Sequence, residues 1–124
     1  MAHSRVLVVD DDRSMVKLLR VNLEGDGMEV AEATTGRAGL EVVHNWGADI
    51  ILLDLHLPDI SGWEVLATVR STESLRNTRV IIISVEPPDS TLIRQLRPDD
   101  YVQKPFDTRD LLMRMRRVVA QKAA

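Results

Sequence analysis

The chain has 124 residues, 44% hydrophobic and 28% charged, which suits one domain around one buried core and is too short for two. A formal net charge of −3 gives the molecule as a whole no attraction for nucleic acid or an anionic membrane. It has no cysteine, so disulfides and thiolate metal sites are excluded; Met1 to Arg5 runs straight into an apolar strand, and the cytoplasm is the expected location.

In chain order, Val6–Val9 is a continuous apolar run rich in β-branched residues, as expected of a central parallel strand covered on both faces. Met15, Leu18, Leu19 and Leu23 then mark a helix ended by Gly25, with Asp12 as its expected N-cap. Met28–Ala33, interrupted by Glu29 and Glu32, suits an edge strand. Gly39, Val42, Val43 and Trp46 recur at i, i+3, i+4 and i+7 and predict a second helix. Ile50–Leu53 is a third strand, followed after Gly62 by a helix on Val65, Leu66 and Val69. Val80–Ile83 is a fourth strand, and Thr91–Leu96 a short helix stopped by Pro98. Tyr101–Val102 suits another edge strand. The last helix carries a stripe of Leu111, Leu112, Met115, Val118 and Val119, with Asp107 and Asp110 as its expected capping pair. The tail 120–124 is expected to be loose, a frayed end or the start of a linker. This alternation is (βα)5: one α/β domain over 1–124, a doubly wound parallel sheet with helices on both faces.

In such a sheet, ligands bind at the carboxyl ends of the strands. Asp10, Asp11 and Asp12 follow the first strand, Asp54 the third, Ser84 the fourth and Lys104 the fifth. Singly, each has an ordinary explanation: Asp54 as a strand-ending acid, Ser84 as a strand terminator, Lys104 as a turn residue, Tyr101 as an edge residue. Together they place acids, a hydroxyl and one of only three lysines on one rim. Asp11 and Asp54 without a counter-charge would repel, whereas carboxylate oxygens suit a hard cation such as Mg²⁺ (or Mn²⁺). An aspartate beside such a cation can act as a nucleophile on phosphorus, with Lys104 and Ser84 holding phosphoryl oxygens.

Four stretches in order resemble the receiver domains of response regulators, the chemotaxis regulators among them. They are Val6-Leu7-Val8-Val9-Asp10-Asp11, Leu53-Asp54-Leu55-His56-Leu57-Pro58 with Gly62, Ser84, and Tyr101-Val102-Gln103-Lys104-Pro105-Phe106. The resemblance covers essentially the whole chain and implies a flavodoxin-like fold of strand order 2-1-3-4-5. It implies that Asp54 is the phosphorylation site and that Asp11, Asp54, Asp10 and the backbone carbonyl of His56 form the metal site. Ser84 stands for the switch hydroxyl, Lys104 for the phosphate-binding lysine and Tyr101 for the switch aromatic. The implied donor is a histidine kinase or phosphotransfer protein, and the implied receiver of the signal an output domain or protein. The module is expected to be regulatory rather than an enzyme, catalysing only its own phosphorylation and dephosphorylation, with no direct contact to nucleic acid or membrane.

The sequence departs from the family in its fourth crossover. The interval from Ser84 to Lys104 is short, and Val85-Glu86-Pro87-Pro88 predicts a stiff, extended loop. Val85 stands where the family has a small residue and is expected to restrict access to the phosphoryl group, so that Val85→Ala would speed its loss. His56 and Glu86 are expected to pair and shield it. Asp99, Asp100, Arg114 and Arg117 resemble the charges of a weak homodimer interface on the fourth helix, fifth strand and fifth helix, a mode that a short fourth helix weakens. Three rival functions remain. A degenerate receiver would dock a partner without phosphorylation. A Mg²⁺-dependent phosphatase with an aspartate nucleophile would turn over phosphomonoesters. A flavodoxin-type binder would need a phosphate loop where Asp10-Asp11-Asp12 stands, and no Gly-rich fingerprint is present.

Overall fold

A computed structural model describes residues 4–123. The elements are β1 (Arg5–Val9), α1 (Arg13–Gly25), β2 (Glu29–Ala33), α2 (Gly36–Trp46), β3 (Ile50–Leu53), α3 (Gly62–Ser71), β4 (Arg79–Ser84), α4 (Ser90–Leu96), β5 (Asp100–Gln103) and α5 (Thr108–Ala123). All pairings are parallel, in the order β2-β1-β3-β4-β5. The expected fold and strand order are therefore observed, with β2 and β5 at the edges.

The period of two along each strand divides the core in two. Val6, Val8, Ile50, Leu52, Ile81 and Ile83 face Val16, Leu19 and Leu23 of α1 and Leu111, Met115 and Val118 of α5. Leu7, Val9, Ile51, Leu53, Val80 and Ile82 face Val43 of α2 and Val65, Leu66 and Val69 of α3. Burial on both faces is what makes the central strands read as unbroken apolar runs.

Caps settle several boundaries. Asp12 starts α1, its carboxylate accepting the N–H groups of Ser14 and Met15. Asp107 accepts the N–H of Arg109, but Asp110 does not reach back to close a capping box; its carboxylate pairs with Arg114 at 2.9 Å. The helix α5 is described through Ala123, and Ala124 lies outside the described residues. Among the described residues no helix is long and apolar enough to cross a membrane.

Candidate functional site

The parallel register brings the ends of β1, β3, β4 and β5 to one rim. Asp10 leaves β1 with its N–H bonded to the Ala33 carbonyl, and Asp54 leaves β3 with its N–H bonded to the Val9 carbonyl. Lys104 leaves β5 with its N–H bonded to the Ser84 carbonyl at 2.7 Å. These ladder-end bonds fix where each side chain starts. The turn after β3 is held by Gly62, whose N–H meets the Leu55 carbonyl. A Cβ on Gly62 would lie 2.3 Å from the Asp54 carbonyl oxygen, so only glycine permits α3 to start this close to the site.

Asp10, Asp11 and Asp54 each offer a carboxylate oxygen within 4.8 Å of the others. Asp10 and Asp54 are buried, and Asp11 is exposed. Asp10 accepts the N–H of Asp12 through Oδ1 and the Lys104 ammonium through Oδ2, both at 2.9 Å. Lys104 Nζ also lies 3.5 Å from Asp54 Oδ2, while Asp54 Oδ1 accepts the His56 N–H at 3.3 Å. Burial, then repulsion from Asp10, pushes the Asp54 carboxyl above its ordinary range; Lys104 and the N–H groups of His56 and Leu55 oppose this without cancelling it. Burial pulls the Lys104 ammonium down, but its hydrogen bond to Asp10 and the charges of Asp10 and Asp54 outweigh that and hold it above the ordinary lysine value. Three carboxylates against one ammonium leave an excess of negative charge. A donor set made only of hard oxygens fits Mg²⁺ or Mn²⁺ rather than a soft metal.

Ser84 is fully buried; its Oγ accepts the Glu86 N–H at 3.2 Å, and its hydroxyl also interacts with the Tyr101 hydroxyl. Tyr101 donates its hydroxyl to the Glu86 carbonyl at 2.8 Å, and its ring packs at a tilt on Trp63, centroids 6.4 Å apart. Burial raises the Tyr101 phenol further above its usual value, so the hydroxyl stays a donor. Val85 is 61% exposed on the bend after β4, where its carbonyl accepts the Gln103 amide. His56 Nε2 and Glu86 Oε1 lie 3.3 Å apart across the mouth of the rim.

The model of the response regulator receiver domain matches residues 6–116. The chain is a receiver domain of this family. Among its relatives, KdpE of Mycobacterium tuberculosis, a transcriptional regulatory protein, is 36% identical over 121 residues, covering 96% of this chain and 52% of that protein. The transcriptional regulatory protein YkoG of Bacillus subtilis is 34% identical over 123 residues, covering 98% and 53%. The receiver domain thus spans about half the length of the curated relatives it matches. A CheY-like receiver from Methanospirillum hungatei superposes with a TM-score of 0.90 at 28% identity, covering 98% of both chains. CheY4 of Vibrio cholerae superposes with a TM-score of 0.88 at 26% identity, covering 94% of this chain and 99% of that one.

The expected charges of a dimer face are largely spent inside this receiver domain. Asp99 pairs with Arg70 at 3.0 Å and Asp100 with Arg114 at 2.9 Å. Arg117 is exposed and has no ion pair among the described residues. Two residues with structural roles escaped the sequence reading, one beside the site and one at the far end of α3. Asp59 reaches from the β3–α3 loop to the N–H groups of Gly36 and Arg37, fixing α2 to the rim. Arg70 holds the carbonyls of Arg76, Thr78 and Arg97 together. An arginine among the apolar positions of a short helix was the available signal for the second; nothing local marks the first.

Proposed function

We propose that Asp54 accepts the phosphoryl group in a two-component or phosphorelay pathway, and that Asp11, Asp54, Asp10 and the His56 carbonyl hold Mg²⁺ or Mn²⁺ beside it. The observation that carries this reading is the meeting of three carboxylates with Lys104 and Ser84 at one strand-end rim of a receiver domain. When bound, the cation supplies the positive charge that lets an anionic phosphoryl group approach carboxylates.

The side chains divide the remaining work. An Asp54 carboxylate oxygen attacks phosphorus, and the bond from phosphorus to the donor breaks with its electron pair leaving on the donor. For a phosphohistidine of a histidine kinase or phosphotransfer protein, that leaving atom is a ring nitrogen. Lys104, already 3.5 Å from Asp54 Oδ2, takes a phosphoryl oxygen as a point charge. Ser84 donates its hydroxyl proton to another. Its Oγ and the Tyr101 hydroxyl both bond to Glu86, through its N–H and its carbonyl respectively, so a shift at Ser84 is passed to the β4–α4 loop. That loop is the proposed route to an output domain or protein, or to a second copy docked weakly on α4, β5 and α5. Val85 and the His56–Glu86 pair are proposed to guard the mouth and lengthen the life of the acyl phosphate.

The deciding experiment is intact mass after treatment with acetyl phosphate and Mg²⁺. One phosphoryl adduct is expected on the wild type and none on Asp54→Asn. An adduct on the variant at wild-type level would overturn the assignment of Asp54. No adduct on the wild type would support a docking module without phosphorylation, and sustained turnover of a phosphomonoester would support a phosphatase.

A further inference from the structure

At the pole opposite the acidic rim, the chain builds a cationic cavity. The six-residue strand β4 separates the two ends by roughly 20 Å. The cavity has a volume of about 470 Å³ and is lined by Arg70, Arg76, Arg79, Arg97 and Asp99, with Asn77 and Thr78 between them. Its wall is polar, with no aromatic or large aliphatic side chain. Four arginines and one aspartate line it, in a molecule whose formal net charge is −3.

The four arginines are not equivalent. Arg70 is only 15% exposed at its side chain and is fully committed. Its Nη1 donates to the carbonyls of Arg76 and Thr78, its Nε and Nη2 to the carbonyl of Arg97, and its Nη2 also to Asp99 at 3.0 Å. Asp99 is therefore spent on Arg70. Arg79 bonds only to carbonyls, those of Asn77 and Val118. Arg76, Arg79 and Arg97 have no carboxylate partner among the described residues. Arg70 builds the floor, and three uncompensated positive charges surround it.

The backbone gives a second, independent observation. Arg97 caps the C-terminus of α4 at φ 52°, the sole non-glycine residue with positive φ among those described. Glycine is the residue this cap favours, because an L side chain is strained there. An arginine held in that conformation projects from a backbone that Arg70 pins through the Arg97 carbonyl. Strain of this kind persists where surrounding contacts over-determine it, and it clusters at binding sites.

We propose that this cavity binds a compact phosphate chain, such as inorganic triphosphate or the phosphate tail of a nucleotide. Guanidinium forks each match two phosphoryl oxygens; the forks of Arg76 and Arg97, with the charge and remaining Nη2 of Arg79, can satisfy a short chain carrying three or four negative charges. The polar wall offers nothing for a base to stack on, so affinity resides in the phosphates rather than in a nucleoside.

The test is calorimetric titration of the wild-type chain with sodium triphosphate, at low salt and with EDTA, so that the acidic rim carries no metal. Saturable one-to-one binding is expected, with ATP matching triphosphate within a few-fold and inorganic phosphate at least about tenfold weaker. Arg97→Gly is the informative variant, because it removes a guanidinium while relieving the strained cap. Its Tm should be unchanged or raised while triphosphate affinity falls about tenfold; Arg76→Gln with Arg97→Gly should abolish measurable binding. Absence of binding to the wild type, or unchanged affinity in Arg97→Gly, would overturn the proposal. So would citrate binding as tightly as triphosphate, which would leave only a generic anion patch. Tighter binding of a DNA duplex than of triphosphate at equal phosphate concentration, lost in the same variants, would overturn it in favour of nucleic acid.

Discussion

On the α3 side of the rim, Val65, Leu66 and Val69 are buried and Gly62 rests on the Asp54 backbone, whereas α4, one crossover later, buries none of its seven residues. The two helices cover neighbouring strands of one sheet. One is pressed into the core; the other is held by its Asp89 cap, by Leu96 at the margin of the core, and by the Tyr101 hydroxyl on the loop before it. Segments with few buried apolar contacts open at low free energy. The difference separates two requirements of a receiver domain. Its carboxylates must be held still for transfer to occur, while the segment that reports phosphorylation must move at small cost.

The largest test of this contrast is a pair of truncations. Leu66→Ala, in α3, removes a fully buried side chain and should cost about 3 kcal/mol of stability. Ile93→Ala, in α4, trims a partly buried one and should cost less than about 1 kcal/mol. Urea unfolding of both variants measures the gap. Equal costs would show that α4 is packed as firmly as α3 and would remove the basis for treating it as the movable cover.

The same contrast governs what could be read from the sequence. The strands and the rim were legible because a parallel sheet buried on both faces needs continuous apolar runs, and its strand ends are where polar residues collect. The weakness of α4 was legible too, since Pro98 stops it and Pro87 and Pro88 stiffen its approach. Pairings set by tertiary placement were not. Asp99 and Asp100 resemble interface charges in sequence, yet they meet Arg70 of α3 and Arg114 of α5 in their own chain, partners that only the tertiary fold brings within reach. Asp110 has capping spacing, but an arginine one turn ahead offers it a charged partner instead.

A smaller effect concerns the firm side itself. The Asp54 carboxyl is raised by burial and by Asp10, so folding favours its protonated form. A raised carboxyl contributes stability that is present below the unfolded carboxylate range and lost as pH rises through the folded value. At neutral pH without metal, the charged Asp54 therefore works against the fold. Asp54→Asn should raise Tm in metal-free buffer at pH 7, and the gain should fade as the pH is lowered into the carboxylate range. Added Mg²⁺ should stabilise the wild type more than the variant. A lower Tm for Asp54→Asn at pH 7 would show that Lys104 already outweighs both burial and Asp10.

The smallest effect expected has the opposite sign, at the contact that joins α2 to the rim. Asp59 is held down to about 2 by the N–H groups of Arg37, Gly36 and Ile60, a lowered carboxyl rather than a raised one. Its contribution is therefore present above the unfolded carboxylate value and lost as pH falls toward 2. Asp59→Asn keeps one acceptor but removes the charge, so its Tm should lie slightly below wild type from pH 5 to 7, with the gap closing between pH 4 and 2. Thermal scans across that range for Asp54→Asn and Asp59→Asn give curves that both converge on the wild type in acid, one from above and one from below. Convergence from the same side would mean that Asp59 is merely an exposed loop acid, and that α2 is held to the rim by the contact of Gly36 with Ile60 rather than by its charge.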